Sequence, residues 1–128
     1  MSALVIDTSS WISYLAGRAP ALMDEALDEG RVYLPPLVAA EILSGKLSPS
    51  ERAELESLLS DLPLCGLERQ HWFRVGTLRS ALRAKGLSVS TPDAHIAQCA
   101  LDLRAELLTE DLVFRRIAKF EALTVVEP

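Results

Sequence analysis

Four carboxylates stand at positions where a fold could bring them to bear on one another. Asp7 directly follows the apolar run "ALVI" (3–6), and Glu41 interrupts the aliphatic "LVAAEILSG" (37–45). Asp93 lies in the first turn of the helix-like "TPDAHIAQCAL" (91–101), and Asp111, with Glu110 beside it, comes just after "AELLT" (105–109). Each has an ordinary explanation. Asp7 would cap the following helix, although Ser9 or Ser10 would serve equally well. Asp93 would complement a helix dipole for roughly 0.3–1 kcal/mol. Thr109 and Asp111 both suit the cap of the next helix, and spacing does not choose between Glu110 and Asp111. Glu41 would be a solvent-facing residue, yet so apolar a run predicts a largely covered helix. An unpaired carboxylate there costs several kcal/mol, and no basic residue lies within one turn on its N-terminal side.

As a set the acids suggest chemistry. Two carboxylates about 4–5 Å apart repel by roughly 3–4 kcal/mol at an effective dielectric of 20, so a cluster of them calls for positive charge. Oxygen-only donors suit hard cations such as Mg2+ or Mn2+, which activate water and steady the charge of phosphoryl transfer. Nothing in the spacing suggests zinc. His71 and His95 read as isolated surface or packing residues, with no nearby His–Cys set. Cys65 and Cys99 are far apart, form no CxxC, and read as reduced, mostly buried thiols of a cytoplasmic protein.

The elements that must position the acids alternate in type. Strands are expected at 3–6, 31–34, 62–67 (weak), 105–109 and 123–127. Helices are expected at 9–17, 20–29, 37–45, 48–62, 68–85, about 92–103 and 111–120. In the sixth helix Thr91 is the expected N-cap and Pro92 the first helical residue, while Ile96, Cys99, Ala100 and Leu103 mark a buried face. Such alternation with short connections predicts a mainly parallel sheet covered on both faces by helices, with ligands at the carboxyl ends of its strands. Asp7, Asp93 and Asp111 would converge there, joined by Glu41.

A chain of 128 residues, 49% hydrophobic and 24% charged, fits one domain spanning 1–128. No apolar run approaches the ~18 residues of a membrane span. The start lacks a basic region and Asp7 cuts its apolar stretch, so no signal peptide is expected. The net charge of −5 argues against coating nucleic acid by charge alone. Two basic elements nevertheless stand out: Arg69, Arg74, Arg79, Arg83 and Lys85 without an intervening acid, and Arg115, Arg116 and Lys119. On an ideal helix Arg74 and Lys85 face away from Arg79 and Arg83, so no single stripe forms. Trp11, Tyr14 and Leu15 read as a candidate apolar contact patch, with the core as the commoner fate of aromatic residues at helical spacing.

Four short motifs in order, "VIDTSSWI", "AEILSG", "TPDAHIA" and "LLTEDLVF", resemble the PIN-domain family, and specifically its VapC-like toxin ribonucleases. The likeness runs through nearly the full length. It implies a three-layer PIN-like α/β fold with a five-stranded sheet in the order 3-2-1-4-5. It further implies an Mg2+- or Mn2+-dependent endoribonuclease whose catalytic and metal-holding residues are Asp7, Glu41, Asp93 and Asp111. Asp111 is thereby preferred to Glu110, and Thr8, Ser9 and Thr109 become supporting hydroxyls. His95 and Gln98 are less typical of the family at their positions and are expected to alter the rim of the site. The partners implied are an RNA substrate, a VapB-like antitoxin and a second copy of the chain, with Arg79, Arg83 and Arg115 as candidate RNA contacts. Other phosphate-handling classes fit less well: a dehalogenase-like phosphatase needs Asp-x-Asp, and residue 9 is Ser. A non-catalytic PIN-like interaction module is the remaining alternative.

Overall fold

Leu4, Val5 and Ile6 are wholly excluded from solvent, so the first apolar run must lie inside a sheet rather than at its edge. In the computed structural model, which describes residues 2–127, it does. β1 (Leu4–Ile6) pairs in parallel with β2 (Val32–Tyr33) on one side and β3 (Glu106–Leu108) on the other; β3 pairs in parallel with β4 (Thr124–Val126). The order is β2-β1-β3-β4, with Leu4 opposite Val32 and Glu106, and Ile6 opposite Leu108.

The expected strand at 62–67 is reduced to one parallel bridge, Leu34 to Leu64, at the outer side of β2. Leu34 N donates to Pro63 O at 2.9 Å and Cys65 N to Leu34 O at 3.2 Å, and pairing stops there. The cause is local. Pro35 and Pro63 have no N–H to continue a ladder, and Gly66, at φ +70°, turns the chain away. The sheet therefore has four strands rather than five, with the 62–67 segment in the expected outer place.

Helices α1 (Thr8–Leu15), α2 (Ala21–Asp28), α3 (Pro36–Leu43), α4 (Pro49–Ser60), α5 (Arg69–Ala84), α6 (Thr91–Leu103) and α7 (Val113–Ile117) link these strands. None is long and apolar enough to cross a membrane, among the described residues. α6 packs on β1 and β3 and is itself covered by α5, so every residue from Ala94 to Ala100 is buried, beyond the single face its periodicity indicates. Its N-cap is Ser90, not Thr91: the Ser90 hydroxyl accepts from Asp93 N at 3.2 Å. Pro92 then occupies the second helical position, where a backbone N–H would also have lacked an intrahelical partner. The helix closes through Arg104 in the left-handed conformation (φ 52°), with Ala105 N bonding back to Ala100 O at 2.9 Å.

Trp11 does not belong to a surface patch. It is fully buried, meets Tyr14 edge-on at 5.7 Å, and leaves only Ile12 and Leu15 of α1 as large exposed apolar residues. Its indole Nε1 is buried without an acceptor among the described residues. Trp11→Ala should therefore cost about 3–5 kcal/mol through cavity formation. Trp11→Phe should cost clearly less, because it removes the unpaired donor while keeping most of the volume. Urea unfolding of the two variants checks this; equal losses would refute the packing account.

Candidate functional site

At the end of β1 the chain is still tied into the sheet, with Asp7 N donating to Leu108 O at 3.1 Å. This holds the Asp7 carboxylate, which is buried, between the start of α1 and the end of β3. Its Oδ1 accepts the Ser9 hydroxyl at 2.6 Å and Ser10 N at 3.3 Å, so Asp7 is the N-cap of α1. Its Oδ2 accepts the Thr109 hydroxyl at 2.8 Å. Ser9 Oγ in turn accepts Glu110 N at 3.0 Å, and Thr109 Oγ1 accepts Asp111 N at 2.9 Å. Each hydroxyl has one proton to give, and an amide fills its acceptor side, so both donate to Asp7 in a fixed direction. Burial raises the Asp7 pKa, the hydrogen bonds from Ser9, Thr109 and Ser10 oppose the rise, and the charge of Asp111 adds to it.

Asp93, half-buried in the first turn of α6, meets the other acids. Burial raises its pKa first; the Ser90 hydroxyl pulls the other way, and the charges of Asp111, Asp7 and Glu41 add to the rise. The charges of Asp111, Asp7 and Glu41 thus all bear on Asp93. Glu110 is directed elsewhere, accepting the hydroxyl of Ser13. Asp111 also accepts Val113 N at 3.0 Å and so shapes the entry to α7.

Glu41 departs from expectation. α3 buries only Val38 and Ile42, so Glu41 is exposed and needs no basic partner; its Oε1 accepts the Thr8 hydroxyl at 3.0 Å. The basic candidates are partly committed to the fold. Arg79 Nε donates to Val89 O at 2.8 Å, holding the segment that leads into α6, and Arg115 pairs with Glu127. Arg74 binds Asp102 through two N–H groups at 2.9 and 3.0 Å. Arg83 is exposed on α5 and forms no ion pair among the described residues.

His95 and Gln98 do not reach the rim of the acidic site. Both are buried on the α5 side of α6: His95 Nδ1 lies 2.7 Å from His71 Nε2, and Gln98 Nε2 donates to Asp102 at 2.8 Å. Nor are the histidines isolated. Among the described residues His71, His95 and Cys99 bring their candidate donor atoms within 4.8 Å of one another. The i, i+4 spacing of His95 and Cys99 carried half of that signal, but the approach of His71 depends on how α5 crosses α6. Ser90 and Ser13 are further polar groups at the site that local spacing did not single out.

Residues 4–120 match the PIN domain family. The chain is 32% identical over 123 residues to Ribonuclease VapC11 of Mycobacterium tuberculosis and to VapC ribonuclease Mb1587 of Mycobacterium bovis, covering 91% of this chain and 92% of each relative. Its fold is similar to that of DNA-bound VapBC from Salmonella typhimurium, with a TM-score of 0.81 at 23% identity over 99% of this chain and 98% of that one. It is also similar to VapBC2 from Rickettsia felis bound to a promoter DNA fragment, with a TM-score of 0.78 at 21% identity over 98% of both chains.

Substitution at Asp93 and substitution beside Asp7 should move stability in opposite directions. Asp93 has a folded-state pKa above its unfolded value, so its ionised form opposes folding, fully at neutral pH and not at all below about pH 4. In chelator, Asp93→Asn should raise Tm at pH 7 by a few degrees, corresponding to about 1 kcal/mol, and the gain should vanish in acid. Thr109→Val should lower Tm, because it leaves a buried Asp7 oxygen and Asp111 N without their partner, a loss of about 1–3 kcal/mol; Thr109→Ser should restore most of it. Thermal melts across pH check both signs.

Proposed function

This chain belongs to the PIN-domain family, among its VapC ribonucleases, and from that premise we propose that it hydrolyses RNA phosphodiester bonds as a metal-dependent endoribonuclease. It acts as the toxin of a toxin–antitoxin pair. What supports the proposal is the Thr109 hydroxyl, which ties Asp7 to the backbone of Asp111, together with the charges of Asp111, Asp7 and Glu41 bearing on Asp93. The donor set fits the ion: four carboxylates offer only hard oxygen atoms, suited to Mg2+ or Mn2+. When bound, such a cation lowers the pKa of water and stabilises the charge that develops on a transferring phosphoryl group.

The chain's own residues prepare this site. Ser9 and Thr109 fix the orientation of Asp7, and the Thr8 hydroxyl steadies the exposed Glu41. Thr109 also holds the backbone of Asp111, so one hydroxyl sets the position of two acids. Ser90 starts α6 where Asp93 faces the others. Four carboxylates without countercharge repel an RNA phosphate, which makes cleavage strictly dependent on the cation. Outside the acidic centre Arg83 is disposed to meet RNA backbone. Arg79 and Arg115 contribute through the N–H groups their structural bonds leave over. The protein partner is a VapB-like antitoxin, and the exposed Ile12 and Leu15 of α1 offer apolar surface for it or for a second copy of the chain.

Cleavage of a labelled RNA by protein freed of antitoxin should require Mg2+ or Mn2+. It should fall on the order of 10²–10³-fold, about 3–4 kcal/mol, in Asp93→Asn and Asp111→Asn. The same variants should lose most of the rise in Tm that Mn2+ gives the unsubstituted protein. Cleavage that persists in chelator would overturn the metal-dependent reading. A chain that neither binds Mn2+ nor cuts RNA would be the interaction module instead.

A further inference from the structure

Behind the acidic site, on the α5 side of α6, lies a second set of ligating groups that the nuclease chemistry does not use. His71 Nδ1 is 2.8 Å from Asp102 Oδ2, which fixes its proton on Nδ1 and turns Nε2 toward His95. His71 Nε2 and His95 Nδ1 are 2.7 Å apart, and Cys99 Sγ lies 3.9–4.0 Å from the ring nitrogens of His95. His71, His95 and Cys99 are each 1% exposed or less. The His95 ring presents Nδ1 to the same point from α6. The Cys65 thiol is also buried and borders the cluster.

We propose that His71, His95 and Cys99 form a metal site of the zinc class that clamps α5 to α6, its fourth position left to solvent from the neighbouring pocket. The chemistry of the set supports it. Two imidazoles and a thiol are soft or borderline donors, unlike the carboxylates of the nuclease site. The Asp102–His71 contact is the carboxylate–histidine arrangement that orients zinc ligands, and Asp102 is itself held by Arg74 and Gln98.

The spacing is near what the ion needs. Tetrahedral zinc with bonds of about 2.05 Å to nitrogen and 2.3 Å to sulfur sets N···N at roughly 3.3 Å and N···S at roughly 3.6 Å. The two imidazoles must part by about 0.6 Å and the Cys99 sulfur close by about 0.4 Å, shifts within reach of side-chain torsions. Gly66 leaves the room: a Cβ on it would come within 2.6 Å of His95 Cε1 and 2.9 Å of both Cys99 Sγ and His71 Nε2. Trp72 stacks on His95 at 4.5 Å, nearly parallel, and seals one side. A pocket lined by Cys65, Gly66, His71, Arg74 and Asp102 borders the cluster and offers the ion a way in. On binding, His95 moves its ring proton from Nδ1 to Nε2, and the Cys99 thiol loses its proton to solvent.

Co2+ is the probe, added to chelator-stripped, reduced protein under oxygen-free conditions with excess Mg2+ present to hold the carboxylates. One equivalent should produce the intense visible bands of a tetrahedral site and a near-ultraviolet thiolate-to-cobalt charge-transfer band. About one proton should be released per ion, and one equivalent of Zn2+ should bleach the spectrum. Cys99→Ser should abolish the charge-transfer band of that site, while Asp93→Asn should retain it and lose RNA cleavage. The unsubstituted chain alone already decides the matter, so a variant that fails to fold does not blunt the test. Weak six-coordinate bands without charge transfer, or a spectrum lost in Asp93→Asn and kept in Cys99→Ser, would overturn the proposal.

Discussion

A buried carboxylate accepting from three donors is what the carboxyl end of this sheet is built around. Asp7 costs free energy to bury, and its raised pKa records that cost. The hydrogen bonds that offset it come from two chain segments: Ser9 and Ser10 from the start of α1, and Thr109 from the end of β3. Because each hydroxyl also accepts an amide from residues 110 and 111, the turn carrying Asp111 is fixed by the same bonds that satisfy Asp7. The support of one acid is thus the positioning of another. Removing the charge of Asp7 would loosen a helix cap and a sheet-end turn at once.

α6 carries two chemistries on one rod. Its first turn offers Asp93 to an all-oxygen neighbourhood, while His95, Gln98 and Cys99, further along, are turned toward α5. These groups stay separate because side chains three to four residues apart on a helix share a face, whereas Asp93 and His95, two apart, do not. The separation also keeps hard and soft donors from competing for one ion. Asp102 completes the arrangement from the C-terminal end of α6. Burial works against its charge, but hydrogen bonds from Arg74, Gln98 and His71 outweigh it and hold the carboxylate ionised.

Much of the acidic centre was legible because strand ends and helix starts are local features. Asp7 after "ALVI", Asp93 after "STP" and Asp111 after "LLT" could be placed without knowing any long-range contact. What depended on packing was not legible. Glu41 reads as covered because its neighbours are aliphatic, yet the degree of cover on α3 is set by which elements cross it. Trp11 fits either a contact patch or the core by spacing alone, and packing puts it in the core. The strand at 62–67 failed for a readable reason, since Pro63 and Gly66 both oppose a ladder, although its place beside β2 held. His71 and His95, 24 residues apart in sequence, meet only because α5 folds back along α6.

The bond from Thr109 to Asp7 spans 102 residues of sequence and lies between a strand at the start of the chain and a turn near its end. β1 is enclosed only when β3 lies beside it, so the acidic end of the sheet is assembled by closure of the fold and not by any local segment. Whatever parts β1 from β3 therefore takes the support of Asp7 and the turn carrying Asp111 with it, and the site opens and closes as one unit with the sheet.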